Sequence, residues 1–470
     1  MNFAAIPSGG RRLRARTALT VAAMALLMGT VFAGTAAAAT VTCGQVITTN
    51  TTLSNDVGPC PGNGIIIAAD NVTLDLNGHT VTGNPQARAA QGADAQDAAG
   101  VLFRNVSNST VRNGTITGFD AGVAIVGGSG NAVSNVTARD NINYRILTGV
   151  NVAPGPDTPS CDFADGIAVL NSSNNVIQGN QVIHNGPLSG IAFIENSDNN
   201  LVSRNVVSDN NIVNQVIAGV PNAGQNTVCG TGDGPMSRGR TVQDIGIRIE
   251  GPGADNNRVE RNDVTRSALV GISINGFVCN PPLDENGQPR FPPGENNGGN
   301  LIFKNTVTNT SSNGRDTVAD GIAVLQQGPA GIVCVSFDNT IKLNVSTGND
   351  RDGIFLGGRG ARNTAINNRV NDNGRDGLHL EGPSMRNGQT FPGASNSKLL
   401  ANKGSGNARD DGFDGNLEPP CDNNMWRGSK FQTVNLPCVL GPGKGHSNGK
   451  GAKAAKARGH ASKTRHHGRR

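Results

Sequence analysis

The chain is long enough, at 470 residues, for roughly two or three ordinary domains. Its composition excludes them: 65 glycines, about twice the usual share, stand against 3% aromatic and 16% charged residues. No long segment repeats apolar residues at helical spacing, the glycines lack the every-third-residue period of collagen, and recurrent Val/Ile runs argue against disorder. An all-β repeat protein is the class that remains. The net charge of +5 conceals a division. Four of the 40 basic residues precede residue 40 and nine follow residue 440, so the body 40–440 carries 27 basic against 35 acidic residues, a net of −8.

Arg11, Arg12, Arg14 and Arg16 precede an apolar run from Ala18 to Ala33 and a small-residue stretch from Thr35 to Ala39. This charged, apolar, small-residue order predicts a secretion signal over 1–39, cleaved near Ala39, and no membrane-spanning segment after cleavage. In an oxidising exterior, eight cysteines read as disulfides. Cys43 and Cys60 bracket a short first segment and Cys421 and Cys438 a short last one. Cys161, Cys229, Cys279 and Cys334 fall in Gly/Pro/Asn-rich stretches, without zinc-ligand spacing.

The body 40–440 repeats the motif Gly, apolar, any residue, apolar. It begins at Gly64, Gly100, Gly122, Gly166, Gly190, Gly246, Gly271, Gly321, Gly353, Gly377 and, less well, Gly412. Uninterrupted spacings are 22, 24, 25 and 24 residues, and Asn-rich strands such as NNVIQGNQV fill the intervals. Each unit holds three short alternating strands and cannot bury its apolar face alone, but stacked units bury a continuous core. The expected fold is all-β: a single-domain parallel β-helix of about eleven rungs with disulfide-bracketed ends.

This rung pattern, with the opening CGQVITTNTTLSNDVGPCPGNGIIIAADNVTLDLNGHTVTG, resembles the right-handed parallel β-helix proteins with pectate-lyase-like repeats. Within that group it is most similar to secreted bacterial β-helix proteins whose domain is linked to carbohydrate binding and sugar hydrolysis. The resemblance covers roughly residues 43–438 and implies a secreted or envelope-associated protein whose partner is a polysaccharide. The Asp-Pro-His motif of β-helix mannuronan epimerases, the polygalacturonase set and the Arg–Pro–Asp spacing of pectate lyases do not occur.

Insertions interrupt the rungs at two corners flanking the Gly-anchored strand: 84–97, 142–164 and 211–243 before it, and 276–299, 325–337 and 381–395 after it. They predict walls on either side of one sheet, hence a groove. The same layout predicts the bridges Cys161–Cys229 and Cys279–Cys334. If the first residue after each Gly points inward, the next points out, giving Leu102, Ala124, Ala168, Ala192, Arg248, Ser273, Ala323, Phe355, His379 and Asp414. Glu250 and Glu381 follow two residues later, and Asp165, Asp320, Asp352, Asp376 and Asp411 precede the Gly. The candidate catalytic residues are Asp352, Asp376, His379, Asp411 and Asp414, since carboxyl groups one rung apart can supply an acid and a nucleophile or base. Arg248, Glu250, Phe355 and Glu381 are candidate substrate contacts. The same carboxylates could hold Ca²⁺ against a uronate. An Asp before Gly also shapes turns on its own account, and the Asn column is expected to form hydrogen-bonded ladders inside turns.

Residues 441–470 form a basic tail without core-forming residues, suited to cell-wall polyanions or acidic polysaccharides rather than to a specific nucleic acid. Two functions follow. One is a secreted β-helix that recognises, and in one version cleaves by hydrolysis or elimination, an extracellular polysaccharide. The other is a non-catalytic surface structural or adhesive module retained by its tail.

Overall fold

The computed structural model describes residues 38–441, apart from 91–96, 145–162, 213–244, 252, 278–296, 312–318, 328–335, 359, 387–388 and 418–419. The expected signal segment up to residue 37, nearly all of the basic tail, and the cysteines of the two expected mid-chain bridges lie outside the described residues.

Every unit of the repeat forms one coil, and the Gly-anchored strands stack in parallel into a twelve-stranded sheet. Its strands are β1 (Gln45–Ile47), β2 (Ile65–Ile67), β3 (Ala99–Arg104), β4 (Ala121–Val126), β5 (Asp165–Leu170) and β6 (Ser189–Ile194). They continue as β7 (Ile245–Glu250), β8 (Val270–Phe277), β9 (Asp320–Gln327), β10 (Ile354–Leu356), β11 (Leu378–Leu380) and β12 (Gly412–Asp414). Eleven rungs were expected; the twelfth is β1, where Gln45 follows Gly44 in place of an apolar residue. The remaining strands of each coil join a second parallel sheet of 22 strands.

The alternation of side chains sets the core. Ile322, Val324, Ile354, Leu356, Leu378 and Leu380 point inward from β9–β11 and meet Ile341, Val370 and Leu399 of the second sheet, all essentially inaccessible to solvent. The glycine anchor has a steric cause. A Cβ at Gly353 would stand 2.6 Å from the Gly377 carbonyl oxygen, and one at Gly377 would stand 2.5 Å from that of Asp411. Any side chain there would force the coils apart.

The expected asparagine ladders are present. Asn180, Asn205, Asn262, Asn305, Asn344, Asn368 and Asn402 are buried, and each of the first six donates its backbone N–H to the side-chain oxygen of the next at 2.9 Å. Side-chain amides thus satisfy buried backbone N–H groups of the turns.

Cys43–Cys60 and Cys421–Cys438 are bonded at the two ends as expected. Trp426 is buried in the C-terminal cap with its ring edge-on to Phe431 at 6.1 Å. Within the insertions lie a short helix, Pro85–Ala89, and an antiparallel pair, Ser384–Arg386 with Gln389–Phe391. No helix among the described residues is long and apolar enough to cross a membrane.

Candidate functional site

The outward face of the twelve-stranded sheet changes character along the stack. From β3 to β6 the outward residues are Leu102, Ala124, Ala168 and Ala192, all buried. On β7, Arg248 is fully buried, donates from Nη1 to Glu250 Oε2 at 2.8 Å and lies 3.6 Å from Asp165 Oδ1. Arg248 thus stands buried between two carboxyl groups, those of Glu250 and Asp165. Three rungs, about 14 Å, separate Arg248 from Phe355.

From β9 onward a different pattern is built on the turn that precedes each strand. Register places Asp320, Asp352 and Asp376 in one column, each fully buried. Every member receives an arginine from the next coil. Arg351 donates from Nε and Nη2 to Asp320 at 2.7 and 2.5 Å. Arg375 binds Asp352 in the same bidentate way, with Nε at 2.8 Å, and Arg409 binds Asp376, also with Nε at 2.8 Å. Each Asp also accepts the backbone N–H of the next residue in its column, at 3.1–3.2 Å. The aspartates thus shape turns and hold an arginine at once. Arginine side-chain exposure rises from 17% at Arg351 through 31% at Arg375 to 43% at Arg409, so the ladder opens to solvent toward its last coil.

Beside it runs a ring column. His379 lies between Phe355 and Phe413, with centroids at 5.2 and 4.6 Å. The guanidinium of Arg351 covers Phe355 at 4.6 Å and that of Arg409 covers Phe413 at 4.0 Å. His379 Nδ1 donates to Asp376 Oδ2 at 2.7 Å and lies 3.5 Å from Asp352 Oδ2. In the tautomer that donates from Nδ1 to the Asp376 carboxylate, the ring's lone pair is on Nε2.

Burial raises the Asp376 carboxyl, but the hydrogen bonds and charges of His379 and Arg409 outweigh it and hold the group below the ordinary carboxylate value. Burial lowers Arg375, yet its bonds to Asp352 leave it raised. Asp320, fully buried and near the Asp352 charge, is pushed up to about 6 despite Arg351. Asp410, next in the column, is raised by burial and then by the Asp376 charge.

Two expected site residues stand elsewhere than expected. Anchoring the last rung on Gly412 is off by one, because β12 pairs Gly412 with Leu378 and Phe413 with His379. A slip of one residue turns every side chain to the opposite face. Asp414 therefore points inward like Leu380, where its Oδ2 accepts the indole N–H of Trp426 at 2.8 Å. Asp411 occupies the glycine position and accepts from Asn407 and from the backbone N–H groups of Gln432 and Thr433. Both carboxylates belong to the cap. Phe413 and Asp410 hold the places expected for them. Glu381 accepts the Gly358 backbone N–H at 2.7 Å, beside the ladder. Asp352, Asp376, His379 and Phe355 come together. Phe413 and the arginine column were not anticipated, although the dipeptide Arg-Asp recurs at 351, 375 and 409.

Asp352, Asp376 and His379 offer ligand atoms within 4.8 Å of one another. The donor set does not fit Ca²⁺. Both carboxylates are occupied by guanidinium groups, and a cation would have to displace Arg375 and Arg409 and stand among their charges.

Stacked coils carrying a polar and aromatic ladder on one sheet define a β-solenoid. The family described as "Right handed beta helix region" matches residues 37–286, more than half of the chain, and the chain belongs to that family. Among solved structures it is similar to the Dettilon tailspike protein at 14% identity, covering 84% of this chain and 58% of the tailspike, with a TM-score of 0.45. The mannuronan C-5 epimerase AlgE4 A-module of Azotobacter vinelandii is 11% identical, covering 83% of this chain and 78% of its own, with a TM-score of 0.41. Pectate lyase Pel9A is 12% identical, covering 80% and 71%, with a TM-score of 0.38. The comparison with curated proteins gives no match.

Proposed function

We propose that the protein is exported and binds a polysaccharide along the last coils of the twelve-stranded sheet, with His379 as the proton-transferring group. The observation that carries this reading is the buried hydrogen bond from His379 Nδ1 to an ionised Asp376, inside a column of rings and guanidinium groups. An aspartate so placed fixes the tautomer and stabilises the imidazolium that forms when Nε2 takes a proton.

The distribution of charge narrows the chemistry. Hydrolysis by two carboxyl groups needs one protonated acid and one free nucleophile or base. Asp352 and Asp376 supply neither, since each is held by a bidentate arginine and Asp376 is favoured in its ionised form. Elimination from a uronate suits the residues better. Nε2 would remove the proton on the carbon bearing the carboxylate, arginine would stabilise the charge that develops, and the glycosidic bond to the neighbouring carbon would break. The leaving oxygen then takes a proton from water or an acid. Export rests on the segment 1–39 and on the bonded cysteine pairs.

The test is incubation with polygalacturonate, alginate, hyaluronan and neutral xylan, following polymer length and the absorbance of unsaturated ends. Shortening of an acidic polymer with new unsaturation is the expected result. Shortening without unsaturation would replace elimination by hydrolysis. Absence of both, with intact binding, would make the protein a surface binding module.

A further inference from the structure

The second sheet carries a different charge pattern at the same end of the coil stack. Strands Arg369–Asn371 and Lys403–Ser405 pair in parallel, and Lys403 bridges to Lys430 on the following coil. Arg369, Lys403 and Lys430 thus form an outward column on three successive coils, about 4.8 Å apart, and all three are exposed. Asn371, Ser405 and Gln432 form a parallel column two residues along. With Phe431 and Leu440, these residues line an open pocket of about 430 Å³ that contains no acidic residue.

Several outward arginines are met by an aspartate of the preceding coil: Arg112 by Asp75, Arg266 by Asp209 and Arg362 by Asp338. Like charges directly opposite on neighbouring strands are destabilising, and pairing removes that cost. Three cations in register, with none of these aspartates among them, keep it. An anion that spans the coils would relieve it. The neighbouring amide and hydroxyl column discriminates between polyanions. Asn371, Ser405 and Gln432 present hydrogen-bond donors and acceptors matched to hydroxyl groups, which a carboxylated sugar chain has and a bare phosphate chain lacks.

We infer that the Arg369–Lys403–Lys430 column is a binding site for a carboxylated polysaccharide lying along the coil axis, separate from the His379 ladder. Its role is retention of polymer, with no bond made or broken there. The site stands whether or not His379 performs chemistry.

The experiment is hydrogen exchange of the full chain with and without polygalacturonate, its methyl-esterified form, or inorganic polyphosphate. Exchange localises protection to a site, so binding by the tail does not obscure it. Polygalacturonate should protect 369–371, 403–405 and 429–432, and the methyl ester should not. Protection should fall at least tenfold in the triple variant Arg369→Gln, Lys403→Gln, Lys430→Gln and persist in His379→Ala. Unchanged exchange in the unliganded triple variant checks that it folds. Equal protection by polyphosphate would replace the sugar-specific site by a general polyanion site. Absence of protection, or protection that survives the triple substitution, would overturn the inference.

Discussion

The two halves of the twelve-stranded sheet share a backbone and differ in what faces outward. In β3–β6, Leu102, Ala124, Ala168 and Ala192 cover the outer face with small apolar groups, so that face resembles a second core. From β10 to β12 the same positions hold Phe355, His379 and Phe413, flanked by buried aspartates and increasingly exposed arginines. The scaffold demands the inward residues, the glycine before them and the buried polar groups that close the turns. Outward strand positions are free to vary. Between the halves, Arg248 is carried fully buried, bonded to Glu250 and close to Asp165.

The comparison breaks most sharply at His379. Replacing it by Ala should lower turnover of an acidic polysaccharide by about 100-fold or more, the usual share of a positioned acid or base, measured as the rate of new unsaturated ends. Full activity in that variant would make the two halves functionally alike. Asp376→Asn comes next, because it strands Arg409 and unfixes the His379 ring. It should cost about 3 kcal/mol in urea unfolding, nearer the lower limit for breaking a buried pair because Arg409 is partly exposed.

The glycine anchor sharpens the distinction between scaffold and site. Gly377→Ala should cost about 1–3 kcal/mol through overpacking, while Gly62→Ala, whose added Cβ meets nothing within 4 Å, should be near neutral. Both are read from urea midpoints.

The ladder's own titration supplies a fourth test. Asp320 is raised to about 6 from an ordinary 3.8, so its contribution is fully present below the lower value and lost as pH rises through the upper one. Stability relative to Asp320→Asn should fall across that window. Asp376, shifted the other way, contributes above the ordinary carboxylate value and loses that contribution only as pH falls through its lower folded value. A flat difference curve between pH 4 and 7 would reject the assignment for Asp320. The smallest effect belongs to the exposed Arg266–Asp209 pair, where Arg266→Ala should change stability by about 0–1 kcal/mol and leave activity unaltered.

The sequence made the coil legible because its two strongest signals have direct steric causes. The Gly anchor marks backbone approach between coils, and the Asn column marks ladders of buried amides. The candidate site was only half legible. Asp352, Asp376, His379 and Phe355 followed from alternation, which is local. Asp411 and Asp414 were misplaced because the last rung was aligned on Gly412, whereas the Arg-Asp dipeptide sets its register: Arg409 must reach Asp376. The role of the arginines is not legible in the sequence because they lie in turns, where a charged residue ordinarily faces water. Only stacking of the coils shows each one reaching the aspartate of the coil before.

The most direct test of the ladder's role is a double-mutant cycle on kcat/KM with His379→Ala, Asp376→Asn and the pair. If Asp376 acts through His379, the double variant should be no slower than His379→Ala alone, so the two losses are strongly non-additive. Losses that multiply, or a rate untouched by removing His379, would contradict the assignment of proton transfer to this ladder.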